Sequence, residues 1–221
     1  MRLAFSALVR AMLGFALFAV LLFLPAGTWA YFGGWLFILC LFVPMLLLGT
    51  VLALFSPTML QKRLDMREEQ SGQKAVILLC ALVFLLGFVL AGLDFRFGWT
   101  QMPVWLTVTA APVFLFGYAL YAETIRENAY LSRTVKVEEG QTVVDTGLYG
   151  IVRHPMYAAT LLMFLAVPIM LGSLYAFCAF LFYPVLIVVR ICGEEKLLLS
   201  ELRGYAAYTA KVKYRLIPFI W

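Results

Sequence analysis

Five apolar runs, residues 8–24, 32–55, 75–93, 103–121 and 156–189, constrain this chain more than any other feature. The first four are each long enough to cross a hydrocarbon layer of about 30 Å at about 1.5 Å per helical residue. No water satisfies backbone N–H and C=O groups in such a layer, so a spanning segment must bond internally, as a helix. The runs therefore predict an all-α fold, a polytopic membrane helix bundle. Hydrophobic residues make up 64% of the 221 and charged residues 13%, against about 45–50% and about 25% in soluble domains. Those proportions exclude a cytosolic globular enzyme, a disordered tail and a nucleic-acid-binding module, and leave no room for a separate soluble domain. The first run follows Arg2 and Arg10 as a signal sequence would. It is longer than the apolar core of a signal sequence, and four more runs come after it, so it reads as a retained span.

The last run is too long for one crossing and short for two. Pro168 and the Gly172-Ser173 pair interrupt it, which predicts a tight helical hairpin with arms over residues 157–171 and 174–189, each slightly short of a full crossing. The bundle then has five spans, or six counting both arms. Charge placement fits this layout. Arg2 and Arg10; Lys62, Arg63, Arg67 and Lys74; Arg126, Arg133, Lys136 and Arg153; and Arg190, Lys196, Arg203, Lys211, Lys213 and Arg215 all fall on one side of the expected layer. Only Arg96 falls on the other. The positive-inside rule makes the crowded side cytoplasmic, and both termini with it. The net charge of +5 thus reflects topology and not an anionic partner.

Residues 123–153 and 190–221 share the cytoplasmic face and flank the hairpin. Residues 157–189 contain no charge, so any chemistry belongs at the hairpin mouth. Residues 197–212 carry Leu198, Leu202, Tyr205, Tyr208 and Val212 at helical spacing, which predicts a C-terminal amphipathic helix against the membrane surface or the bundle. Cys40, Cys80, Cys178 and Cys192 are scattered, with no CxxC spacing, so neither a disulfide framework nor a metal site is expected.

Two constellations stand at that mouth. In Arg153-His154-Pro155-Met156-Tyr157 the chain's single histidine precedes a proline suited to the first turn of a helix. The N–H groups just after it would point at an anionic or electron-rich ligand. Taken alone, the pattern describes an interfacial anchor, with Arg153 at head-group level, better than a ligand site. In Arg190-Ile191-Cys192-Gly193-Glu194-Glu195-Lys196, Arg190 and Glu194 share one helical face and can pair. Snorkelling is the ordinary role of a single Arg at a helix end, but anchoring does not call for two acids beside it. Upstream, Gln141-Thr142-Val143-Val144 leads into a Gly147-containing turn that either supplies backbone hydrogen bonds to a ligand or only connects. GxGxxG, GxxxxGK[ST] and HExxH are absent, so Rossmann, P-loop and zincin readings lack their motifs.

Taken as an ordered set, Gly147-Leu148-Tyr149…Arg153-His154-Pro155-Met156-Tyr157, then Arg190…Glu194-Glu195…Leu198, then Tyr205…Tyr208…Val212…Arg215-Leu216-Ile217-Pro218, resemble the isoprenylcysteine carboxyl methyltransferase family. The match covers the chain from Val137 onward. The resemblance implies a membrane enzyme that takes S-adenosylmethionine from the cytosol and methylates the α-carboxylate of a C-terminal S-prenylcysteine reached through the bilayer. It implies a division into residues 1–122, N-terminal transmembrane helices, and 123–221, a catalytic region of cofactor loop, hairpin and tail. By position, Gln141, Thr142, Val143, Val144, Tyr149, His154, Pro155, Met156, Tyr157 and Glu194 would line the cofactor pocket, and Arg190 would hold the substrate carboxylate. The chain departs from the family at Gln141, where eukaryotic members tend to have His, and offers no Gln near Glu138. Methyl transfer to a carboxylate needs no general base, because the acceptor is ionised at neutral pH; it needs alignment and a dry site.

Three other readings fit parts of the pattern. Membrane sterol reductases, which use NADPH, carry a similar entry and tail, but Met156 and Ala158-Ala159 depart from theirs. A methyltransferase acting on a phospholipid amine keeps the cofactor and changes the acceptor. A non-catalytic membrane scaffold keeps the fold and predicts no affinity for S-adenosylmethionine.

Overall fold

The computed structural model describes residues 2–65, 71–131, 137 and 139–221; Arg67, Arg133, Lys136 and Glu138 lie outside them. The chain is 77% helical and has no strand among the described residues. The helices are α1 (Arg2–Ala26), α2 (Phe32–Phe55), α3 (Pro57–Leu64), α4 (Ser71–Phe97), α5 (Val104–Glu127), α6 (Pro155–Met170), α7 (Leu174–Phe180), α8 (Phe182–Glu201) and α9 (Tyr205–Lys211). Five segments are long and apolar enough to cross a membrane: Phe5–Ala26, Phe32–Phe55, Gln73–Phe97, Val104–Glu127 and Leu174–Glu201. The protein is an integral membrane helix bundle.

Prolines set several boundaries. The helical conformation is disfavoured just before Pro57, so α2 ends at Phe55 and α3 begins with Pro57 in its first turn. This short helix had no counterpart among the expected segments. α5 runs unbroken from Val104 to Glu127, through the expected division after residue 122.

The hairpin turn is where Gly172 and Ser173 place it. Gly172 adopts φ +70°; its N–H bonds Ile169 O at 3.0 Å and the Ser173 N–H bonds Pro168 O at 3.0 Å. That is the left-handed helix end for which glycine is suited. The second arm differs from expectation. It continues past Val189 to Glu201, because nothing between Arg190 and Glu201 breaks a helix. The interruption near Leu181 falls one turn before Pro184, which has no N–H to return to Phe180 O. The expected single amphipathic helix over 197–212 is divided accordingly. α8 supplies its first part, the chain leaves the helix at Leu202, and α9 supplies the rest. Its apolar residues Leu202, Tyr205, Tyr208 and Val212 form one cluster with Leu198 and with Val137 and Val143 of the preceding loop.

The two ends of the bundle are fastened differently. At one end Tyr31 Oη donates to Leu171 O at 2.6 Å. There the fully buried Asp94 accepts from Ser173 Oγ at 2.5 Å and from the Thr100 N–H at 2.6 Å. At the other end Arg10 donates to Leu64 O, Lys62 to Ala129 O at 3.0 Å, and Gln73 to Arg190 O at 3.4 Å. Between them, edge-to-face rings such as Phe18 against Phe88 (5.0 Å) and Phe88 against Phe180 (5.6 Å) fill the core.

Candidate active site

Glu127, at the end of α5, builds the floor of the polar end. Its carboxylate accepts from the Leu148 N–H at 2.9 and 3.2 Å. Gly147 has φ +53°, and a Cβ there would lie 1.6 Å from Glu127 Oε1, so only glycine lets the loop turn over this carboxylate. The turn over Gly147–Gly150 presents Tyr149, whose carbonyl accepts from Tyr208 Oη at 2.7 Å. Downstream, the N–H groups of Arg153 and His154 donate to Tyr214 O and Arg215 O, each at 2.9 Å. The loop is thus tied to both α9 and the C-terminal segment before it enters α6 at His154 and Pro155.

Glu195 gathers the charges. Arg215 Nε donates to its Oε2 at 2.6 Å, and Arg153 Nε lies 2.8 Å from Oε1 without the alignment of a hydrogen bond. His154 Nε2 lies 3.3 Å from Oε1. A carboxylate between two guanidiniums only accepts, so Nε2 carries the imidazole proton. The side chain of Arg153 is 8% exposed. It is therefore not the head-group anchor that the sequence alone favoured.

On the same helix, Arg190 and Glu194, one turn apart, meet through a hydroxyl. Arg190 Nε donates to Tyr157 Oη at 2.9 Å, and Tyr157 Oη donates to Glu194 Oε2 at 2.7 Å. Arg190 Nη1 also donates to Gln73 Oε1 at 3.1 Å. The guanidinium is thereby fixed between α4, α6 and α8.

These groups surround one cavity of about 830 Å³, its mouth included. Arg190, Gln141, Thr142, Val143, Val144, Tyr149, His154, Pro155, Met156, Tyr157 and Glu194 all line it. Asn128, Tyr130, Leu131, Arg153, Leu198, Leu202, Tyr205 and Tyr208 complete the wall. Burial pushes the Tyr149 hydroxyl up to about 12 and raises Tyr205 and Tyr208 as well, so all three stay protonated at neutral pH.

Residues 105–203 match the phospholipid methyltransferase family, which includes the isoprenylcysteine carboxyl methyltransferases. This segment, somewhat less than half of the chain, is similar to that family. The chain is also 32% identical over 91 residues to the Delta(14)-sterol reductase TM7SF2 of Mus musculus, covering 40% of this chain and 22% of the relative. It is 22% identical over 136 residues to the Delta(14)-sterol reductase of Methylotuvimicrobium alcaliphilum, covering 55% of this chain and 32% of that protein. The chain thus spans a third or less of the length of either curated relative.

The cofactor that the family implies fits the residues present. The Tyr205 hydroxyl is buried on the wall with no hydrogen-bond partner among the described residues. The carboxylate of Glu194 stands nearby as an acceptor for cationic or hydroxyl groups. Burying a lone hydroxyl is unfavourable unless a ligand completes its bonding. Three wall or support residues were given no role from the sequence: Tyr205 stood as one apolar position of a helix and a member of the tail motif, Gln73 lies 117 residues from Arg190, and Glu195 stood only as the second of an acidic pair.

Proposed function

We propose that this protein takes S-adenosylmethionine from the cytosol and methylates the α-carboxylate of a C-terminal S-prenylcysteine or a similar lipophilic thioether acid at the membrane. The observation that carries the reading is the convergence of Arg190, Tyr157, Glu194 and His154 on one cavity within the segment that matches the family. In this reading Gln141, Thr142, Val143, Val144, Tyr149, His154, Pro155, Met156, Tyr157 and Glu194 hold the cofactor. Residues 1–122 then serve as embedded helices, residues 123–221 as the catalytic region, and both termini face the cytosol.

When bound, S-adenosylmethionine supplies a methyl group on a positively charged sulfur. The carboxylate of the acceptor is ionised above about pH 4, so no residue of this chain has to remove a proton. Arg190 orients that carboxylate, with a planar fork of donors that lysine lacks. Tyr157 and Gln73 keep the fork in one rotamer, so its alignment is set before the acceptor arrives. Glu194 takes up positive charge on the cofactor side. His154, with Nε2 given to Glu195, contributes wall and orientation and does not act as a base. The apolar residues Val143, Leu198 and Leu202 exclude water, which otherwise weakens a carboxylate nucleophile.

The sterol reductase relatives favour a second reading, an NADPH-dependent reductase. The cavity supports it less well. The described residues of its wall carry the carboxylate of Glu194 beside two guanidiniums, of which Arg153 already faces Glu195, whereas a phosphorylated dinucleotide requires several cations.

Calorimetric titration of the detergent-purified chain with S-adenosylhomocysteine and, separately, NADPH tests the reading. Binding of the first alone, weakened by Glu194→Ala, is expected. Arg190→Lys should lower turnover at least tenfold with that affinity unchanged. Binding of NADPH alone, or of neither, overturns the proposal.

A further inference from the structure

A second, larger cavity lies beside the polar one. α1, α2 and α4 wall it, and Tyr118 and Tyr121 of α5 and Phe164 of α6 close one side. It encloses about 2490 Å³ with its open side included. Its lining is almost wholly hydrocarbon and aromatic. The charged exceptions are two guanidiniums, Arg10 and Arg63; no acidic residue lines it among the described residues.

Arg63 stands at the seam between the two cavities. It lines the apolar one, while its Nη1 and Nη2 lie 3.8 and 3.7 Å from Sδ of Met156, which lines the polar one. Its guanidinium carbon is 5.3 Å from the centroid of the Tyr121 ring. Its Nε is buried with no hydrogen-bond partner among the described residues. A thioether is a weak acceptor and a ring face replaces only part of a carboxylate. The other guanidiniums nearby are better matched: Arg153 and Arg215 face Glu195, and Arg190 faces Tyr157 and Gln73. Arg63 is therefore a permanent positive charge, half withdrawn from water, with soft partners and an apolar chamber in front of it.

We propose that this chamber receives the hydrocarbon chain of an acidic lipid from the bilayer, and that Arg63 draws the lipid's anionic head group to the seam at Met156. The walls specify a chain, and the sign of both lining charges specifies an acid. The contact of Arg63 with Met156 brings that acid beside the polar cavity, where an acceptor is needed. Arg63 is thus the residue that selects the charge of the acceptor, upstream of Arg190. The fate of the bound lipid as a methyl acceptor rests on the methyltransferase reading; its binding does not.

The test uses tritiated oleic acid on the full chain immobilised on scintillation beads, displaced by unlabelled oleic acid or by oleyl alcohol, which has the same chain and no charge. The alcohol should compete at least tenfold less well. Arg63→Gln should weaken oleic acid at least tenfold and abolish the difference, and Arg63→Lys should restore most of it. Gly49→Phe should remove displaceable binding of both. Gly49 lines the chamber, and a Cβ there meets nothing within 4 Å, so the added side chain starts in open space. Equal competition by acid and alcohol, a preference that survives Arg63→Gln, or binding that survives Gly49→Phe overturns the proposal. S-adenosylhomocysteine titrated into the same variants should bind as in wild type. Charge-selective lipid binding without S-adenosylhomocysteine binding sinks the methyltransferase reading and leaves this one standing; the converse result does the opposite.

Discussion

Glu195 is only 5% exposed, yet it faces Arg153, His154 and Arg215 at once. One carboxylate therefore joins the loop that enters α6 to the segment after α9. Removing its charge leaves Arg153 withdrawn from water and uncompensated, which costs about 3–5 kcal/mol where a buried pair is broken. Arg215, more than a third exposed, adds little to that figure. Glu195→Gln should accordingly lower the thermal unfolding midpoint sharply, while Glu194→Gln should leave it within a few degrees and weaken S-adenosylhomocysteine instead. Equal midpoints for the two variants would remove Glu195 from its supporting role. The sequence made the pair visible but not the division of labour, because two adjacent acids on a helix point about 100° apart and only the packed structure decides which one meets the arginines.

At the scale of elements, the spans were legible and their ends were not. Long apolar runs allow one solution in a hydrocarbon layer, so α1, α2, α4 and α5 lie where the runs are. Helix ends answer to local chemistry: α8 does not stop where the charges begin at Arg190, since Glu194, Lys196 and Glu201 are good helix formers with water beside them. That overrun sets Arg190, Glu194 and Leu198 on one rod facing the loop over residues 141–144. α4 meets this rod at Gln73, whose Oε1 accepts from Arg190 and whose amide nitrogen approaches so closely that a Cβ on Gly193 would lie 2.4 Å away. Gln73→Ala deprives the guanidinium of that acceptor, at about 1–3 kcal/mol. We expect the KM for the lipid acceptor to rise several-fold with S-adenosylhomocysteine affinity unchanged. A drop in stability without a change in KM would make Gln73 a packing residue only.

For the whole molecule, the contacts separate into two ends. Asp94, Ser173, Tyr31 and Thr100 meet at one; Arg10, Arg63, Gln73 and the cavity lie at the other. On the proposed orientation, the second end faces the cytosol. In a cysteine-free background in sealed vesicles, Lys213→Cys should react with an impermeant maleimide only from the cytosolic side, and Trp99→Cys only from the opposite side; both residues are exposed. Labelling of both from one side would invert or break the layout. The unequal lengths of neighbouring helices bear on how each reactant enters. α6 has 16 residues beside the 24 of α5, about 24 Å against about 36 Å. Its far end is held at the Ser173–Asp94 clasp, so its near end, with His154 and Pro155, cannot reach the level at which α5 emerges. On the proposed orientation and activity, the cavity is a well sunk into the cytosolic leaflet: a water-soluble donor would descend into it, and a greasy acceptor would arrive sideways without ever leaving the oil.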